Sequence, residues 1–258
     1  MAYLNHGRKN LDVPIRTDET LDGLGDGELK IIQKKKGYRF SIDTILLANF
    51  CRLKETDYVI DLGTGNAIIP VMLAARNPLN RIVGVEIQED FIDMARRNIK
   101  LNELEGRITL IHRDVKELRS CLDKGSFDVA ICNPPYHPVR SGRVNPIPQK
   151  ALARHEILGS LEDMAQIASF LLRSMGRFYV IHPASRIVDM FIRLGTSNLE
   201  PKCMQMIHSN ASEDARLVRV EAVKGGRKEL RVLKPLFVYD LEGNPTKEMQ
   251  GIYAIPQT

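Results

Sequence analysis

The sequence predicts an α/β fold built on a mostly parallel sheet with helices on both faces. Three observations predict it. From residue 58 onward, short and nearly continuous apolar runs alternate with helical stripes. That is the pattern of strands buried on both sides. A glycine-rich turn, Asp61-Leu62-Gly63-Thr64-Gly65-Asn66-Ala67, follows the first of these runs. Towards the C-terminus, Lys202 to His208 and Leu217 to Val223 read as two strands with no helix between them, which predicts an antiparallel edge.

Composition sets the outer bounds. The chain has 258 residues, 43% hydrophobic and 27% charged, which suits one α/β domain or one domain with an appendage. No run approaches ~18 uninterrupted apolar residues, so no membrane-spanning helix and no membrane partner are expected. Met1 to Asn10 is polar and basic and lacks the apolar core of a secretory signal. Cys51, Cys121, Cys132 and Cys203 are scattered, with no pair at two-residue spacing. That spacing argues against a zinc knuckle or redox pair, no metal site is expected, and free thiols fit a cytoplasmic protein. The net charge of +5 favours a polyanionic partner, though weakly. The cations are bunched at Lys34-Lys35-Lys36 with Arg39, at Arg140 and Arg143, and at Lys224, Arg227, Lys228 and Arg231. Solvated loops explain any one of these clusters equally well.

Taken in order, Met1 to Asp26 is a poorly periodic arm rich in turn formers. Leu29 to Gln33 and Tyr38 to Phe40 flank Lys-Lys-Lys-Gly and predict a hairpin. Ser41 is placed to cap a helix carrying Ile42, Ile45, Leu46, Asn49 and Phe50. Residues 1–52 are thus read as an arm, hairpin and helix, and 53–258 as the main domain. Tyr58 to Leu62 is the first strand of that domain, with a helix from about Ala67 to Arg76. Arg81 to Glu86 is the second strand, and its helix bears Phe91, Met94, Ala95 and Ile99. Ile108 to His112 and Phe127 to Cys132 are the third and fourth strands. A helix over Leu161 to Arg173, capped by Ser160, leads to a fifth strand at Gly176 to Ile181. A further helix spans about Ser185 to Leu194. Pro134 to Pro148 holds five prolines in fifteen residues and follows a mid-domain strand, which predicts an active-site loop.

Two motifs carry chemistry. Gly63 and Gly65 let a backbone approach a ligand closely at a strand-to-helix turn. A dinucleotide site would place a third glycine where this chain has Ile68, so a ligand without a pyrophosphate is favoured. Asp61 can meet a cationic amino-acid moiety. Glu86, at the end of the next strand, can accept from ribose hydroxyls. Asp114 can accept from an adenine amino group while the Val115 N–H meets a ring nitrogen; Asp114 is equally well placed to cap the segment after it.

The second motif, Asn133-Pro134-Pro135-Tyr136, directly follows the fourth strand. The Asn133 amide oxygen and the Pro134 carbonyl can each accept one N–H of a planar amino group, aiming its lone pair at a methyl donor. Pro134 and Pro135 stiffen the loop without adding an unsatisfied donor. Tyr136 can stack on a base, a contact worth ~1–3 kcal/mol. A proline-rich turn ending a strand is the competing structural reading. Together the motifs point to methyl transfer from S-adenosyl-L-methionine to an amino nitrogen.

Asp-Leu-Gly-Thr-Gly-Asn at 61–66 with Asn-Pro-Pro-Tyr at 133–136 resembles the amino-methylating class I S-adenosylmethionine-dependent methyltransferases. Ile32 to Thr44 is more specific and is similar to the N-terminal signature of the bacterial tRNA1(Val) (adenine-N6)-methyltransferases. The tail resembles the same group at Leu199-Glu200-Pro201-Lys202, His208-Ser209 and Lys224-Gly225-Gly226. The resemblance implies a Rossmann-like sheet of seven strands with the seventh reversed. It implies a cofactor site of Asp61, Gly63, Thr64, Gly65, Asn66, Glu86, Asp114 and Val115, with Phe40, Ser41 and Asp43 closing over it. The implied substrate site is Asn133 to Tyr136, and the implied partner is RNA, in particular tRNA beside the anticodon. Asn-Pro-Pro-Tyr also fits enzymes methylating a protein glutamine amide or guanine N2 in rRNA. A non-catalytic RNA-binding module is the remaining alternative.

Overall fold

The computed structural model describes residues 13–24, 27–36, 41–77, 81–134 and 159–254. Five parallel strands form its centre: β3 (Tyr58–Leu62), β4 (Arg81–Glu86), β5 (Ile108–His112), β6 (Phe127–Cys132) and β7 (Leu172–Pro183). The two tail strands, β8 (Leu199–His208) and β9 (Ala215–Lys224), complete the seven expected strands. β9 inserts between β7 and β8 and runs antiparallel to both. Two two-residue strands, β10 (Arg231–Val232) and β11 (Leu236–Phe237), add to the outer side of β8. They were not anticipated. The order is β10-β8-β9-β7-β6-β3-β4-β5.

Residues alternate between the two faces of the sheet, as a strand requires. Val59, Val129, Ile131, Tyr179 and Ile181 share one apolar core. They pack with α1 (Ile42–Phe50), α2 (Ile68–Arg76), α3 (Glu89–Leu101) and α6 (Lys247–Tyr253). Ile60, Leu62, Ala130, Cys132, Phe178 and Val180 face the other core. That side is covered by α4 (Leu161–Leu171), α5 (Ile187–Thr196) and a 3-10 segment at Val115–Ser120. Ser160 caps α4 as expected, within a reciprocal capping box with Asp163.

β1 (Glu19–Leu24) pairs antiparallel with β2 (Leu29–Lys34), a hairpin that was not anticipated. β1 was read as part of the irregular arm. Its burial explains why: Glu19, an acid, is its one buried residue. The expected partner segment, Tyr38 to Phe40, lies outside the described residues. Ser41 does occupy the N-cap of α1, but its side chain makes no capping hydrogen bond. β7 begins at Leu172, earlier than expected, and its register with β6 shifts between Phe127 and Val129.

The sheet order has one consequence for ligands. β3, β4 and β5 progress in one direction, and β6 then lies on the other side of β3. Ligands of open α/β sheets bind at such a reversal, outside the carboxyl ends of the strands. Both sequence motifs emerge there.

Candidate active site

Asp61 lies on β3, in register with Gly84 of β4 and Ile131 of β6. It is only 1% exposed. One carboxylate oxygen accepts from Thr64 Oγ1 at 2.6 Å, while Oδ1 is buried with no partner among the described residues. Burial raises its pKa to about 7, against the Thr64 hydrogen bond, and the nearby Glu86 carboxylate adds to the rise. A buried carboxylate oxygen without a donor is costly unless a cation or donor completes it.

The turn after β3 is built from left-handed residues. Gly63, Gly65 and Ala67 have φ of 74°, 58° and 64°. Thr64 between them is anchored by its N–H to the Val85 carbonyl at 2.8 Å. Asn66 turns away from the ligand side and donates to the Ile32 carbonyl of β2 at 3.2 Å. Asn98 of α3 donates to both the Ile32 and Asn66 carbonyls, at 3.1 and 2.9 Å. These contacts tie the N-terminal hairpin to the glycine turn.

Glu86 is the last residue of β4 and is 3% exposed. Its carboxylate accepts from the N–H groups of Gly65 at 2.9 Å, Ile87 at 3.0 Å and Gln88 at 2.9 Å. Burial raises its pKa, opposed by those backbone donors. The hydrogen bonds fix the plane of the carboxylate at the rim of a cleft. That cleft is lined by Gly63, Glu86, Ile87, Asp114, Val115 and Met164. Asp114 performs the capping role weighed for it, accepting from the Lys116 N–H at 2.9 Å, while still lining the cleft. Val115 is 6% exposed beside it.

Asn133 and Pro134 follow β6 across the reversal, next to the glycine turn that follows β3. Asn133 is half-buried and Pro134 buried. Asn133 Nδ2 donates to Thr44 Oγ1 of α1 at 3.2 Å. Ser41 and Asp43 open α1 on this side, exposed and half-buried respectively. Phe40, Pro135 and Tyr136, three of the expected site residues, lie outside the described residues.

Two residues escaped the sequence reading. Thr44 lies 89 positions from its partner Asn133; the sequence places it only at the end of the N-terminal signature, with no role of its own. Gly84 carries no polar group, yet a Cβ there would come within 3.0 Å of Thr64 Cγ2 and of Leu110 Cδ2. A glycine inside a strand can mark such a close approach, and that was its one available signal.

The residues fit S-adenosylmethionine on one observation above all. Its amino-acid ammonium is the kind of cation that the orphaned Asp61 Oδ1 lacks. Among the described residues, no group of His, Cys, Asp and Glu is arranged to hold a metal ion. No described helix is long and apolar enough to cross a membrane.

The methyltransferase small domain family matches residues 38–158. The tRNA1(Val) (adenine(37)-N6)-methyltransferase of Porphyromonas gingivalis is 33% identical over 144 residues, 55% of this chain and 56% of that protein. The match thus spans little more than half of that relative's length. The protein of the same name from Pedobacter heparinus is 30% identical over 166 residues, 63% of this chain and 69% of that protein. Among solved structures, a predicted O-methyltransferase from Agrobacterium tumefaciens superposes with a TM-score of 0.67 at 23% identity, covering 82% of this chain and 95% of that one. An S-adenosylmethionine-dependent methyltransferase from Aquifex aeolicus gives 0.51 at 11% identity, covering 70% and 89%. These structures share the Rossmann-like methyltransferase fold with this chain. By sequence, the chain belongs to the tRNA1(Val) (adenine(37)-N6)-methyltransferase family.

Proposed function

We propose that the protein methylates the N6 amino group of an adenine in RNA, in a tRNA beside the anticodon, with S-adenosylmethionine as donor. The observation that carries this reading is the pairing of Asp61, buried with an unpartnered oxygen, with Asn133 across the sheet reversal. When bound, S-adenosylmethionine supplies an electrophilic methyl group on a sulfonium. Asp61 would hold the amino-acid ammonium and Glu86 the ribose hydroxyls. Gly63 and Gly65 allow close backbone approach, and Thr64 keeps Asp61 in place through its hydroxyl. Asp114 and Val115 would line the adenine end. Asn66 serves this site indirectly, by fixing the turn to β2.

Asn133 Oδ1 and the Pro134 carbonyl would accept the two N–H bonds of the target amine. That arrangement aims the nitrogen lone pair, and its gain is positioning and electrostatics. No general base is needed beforehand, because the proton can leave to solvent after the nitrogen is alkylated. The target base must leave its stack to reach Asn133, which suits a loop nucleotide. The names of the relatives support tRNA as the carrier of that base.

The test is incubation with isotopically labelled S-adenosylmethionine and total bacterial RNA, followed by mass spectrometry of the nucleosides. Label in N6-methyladenosine of tRNA is the expected result. Label in protein, or in N2-methylguanosine, overturns the reading.

A further inference from the structure

We propose that the cavity between the last turns of α1, α2 and α6 is a second ligand site, one that takes a small organic anion: a carboxylate or phosphate ester on an apolar body. The cavity has a volume of about 410 Å³ and is lined by all three helices and by Leu53, in the segment leading into β3. Small-molecule sites typically hold about 300–1,000 Å³. None of its described lining residues lines the cleft at Glu86 and Asp114. It lies towards the opposite end of the sheet. Leu53 precedes the start of β3, and Arg76 ends the helix that leads away from the glycine turn.

The charge of the cavity selects the ligand. Arg52 and Arg76 line it, and no acid is among its described lining residues. Arg76 is half-buried; its Nη2 donates to the Ile252 carbonyl of α6 at 3.2 Å, and its Nε is buried without a partner. Among the described residues, neither guanidinium pairs with a carboxylate. The Asp57 carboxylate is held by Arg177, which also donates to the Arg52 carbonyl. Cys51 supplies no counter-charge, because burial pushes its thiol well above the usual range and keeps it neutral. Burial also pushes the Arg76 guanidinium down, yet an arginine stays cationic at neutral pH. A cation withdrawn from water without a counter-charge costs stability, and carboxylates and phosphates are the groups that match a guanidinium fork. Capping the last turn of α6 uses one N–H of Arg76. It leaves the rest of that fork, and all of the Arg52 side chain, without a role. Ala48, Leu53 and Leu73 give the cavity an apolar wall, which suits a ligand larger than a bare inorganic ion. Asn49 adds a carboxamide able to donate to the anion.

The probes are benzoate and phenyl phosphate, two anions on one apolar body. Benzyl alcohol is the neutral counterpart and inorganic phosphate the bare anion. In isotopically labelled full-length protein, benzoate or phenyl phosphate should move the side-chain amide signals of Asn49 and the methyl signals of Leu73, and saturate. The stronger of the two tells a carboxylate site from a phosphate site. Benzyl alcohol and inorganic phosphate should each bind at least ~10-fold more weakly than the stronger anion. Arg76→Met should weaken that anion by ~10-fold or more, and Arg52→Gln by about 3-fold. The proposal is overturned if neither anion moves these signals, or if the main shifts fall at Gly63 and Gly65 in the cofactor cleft. Equal binding of benzyl alcohol or of inorganic phosphate also overturns it, as does unchanged affinity in Arg76→Met. Should Arg76→Met fail to fold, Arg52→Gln decides, since it alters an exposed side chain; unchanged affinity there then overturns the proposal. The readout needs no methyl transfer, so it stands whether or not the proposed function does.

Discussion

Asp61 carries the sharpest single-residue consequence. Without a ligand its pKa is raised to about 7 by burial. A bound ammonium stabilises the ionised form and lowers that pKa. If Asp61 holds the ammonium as proposed, binding releases a proton whenever the pH is below about 7, and affinity falls as pH drops through that value. One pKa unit corresponds to a tenfold change, so the Kd for S-adenosylhomocysteine should rise by up to ~10-fold between pH 7 and pH 6. Titration calorimetry in buffers of different ionisation enthalpy would detect the released proton. Asp61→Asn should bind more weakly at pH 8 and lose the pH dependence; a flat profile in wild type would mean that Asp61 is ionised before the ligand arrives. Gly84 acts on the same carboxylate through Thr64. Gly84→Ala pushes a Cβ against both Thr64 and Leu110, an overpacking costing about 1–3 kcal/mol. Chemical denaturation should register that loss, and the Kd for S-adenosylhomocysteine should rise as Thr64 shifts. Asp61 and Glu86 were legible in sequence because each stands at or beside a strand end near a glycine turn. Thr44 was not, because the contact that gives it meaning is tertiary.

The same distinction explains which elements could be read. The parallel strands announce themselves as apolar runs because both faces are buried. β1 does not, since its inward residue is Glu19, whose side chain is fully buried against Arg97 of α3. The guanidinium makes two charge-assisted contacts to it, at 2.6 and 2.7 Å, and Asp93 and the Pro14 carbonyl receive its remaining donors. Hydrophobic patterning cannot detect a strand docked by an ion pair. Arg97→Met should destabilise the chain by about 3–5 kcal/mol in denaturant unfolding, because Glu19 is left buried without its partner. The Arg97 hydrogen bond is the largest influence lowering the Glu19 pKa. A depressed carboxylate pKa contributes stability above its unfolded value and loses it as pH falls. The penalty of Arg97→Met should therefore shrink in acid, below the usual glutamate range. A penalty constant down to pH 3 would mean that the pair holds the hairpin by packing instead of charge.

Across the whole molecule, the strand register separates basic clusters that the sequence could not place. Lys224 closes β9 opposite Leu199, and its Nζ donates to the carbonyl of Leu172, where β7 begins. Arg227 and Lys228 are exposed just beyond it, and Lys202 of β8 donates to the Arg227 carbonyl. The site lies at the other end, where β3, β4 and β6 finish and α1 starts. Lys35 and Lys36 are exposed near that end, following a β2 strand whose Ile32 is bonded to the glycine turn through Asn66. On the proposed function, an RNA loop delivering a base to Asn133 would bring its phosphates near Lys35 and Lys36 and leave Arg227 and Lys228 remote. Each phosphate contact contributes about 0.7–0.9 to the slope of log K against log salt. Lys35→Gln with Lys36→Gln should lower the slope for tRNA binding by roughly 1.5 and weaken binding most at low salt. Arg227→Gln with Lys228→Gln should leave the slope within error of wild type. Equal losses from the two pairs would mean that the RNA reaches along the full length of the strands, and the docking geometry would then have to include both ends of the sheet.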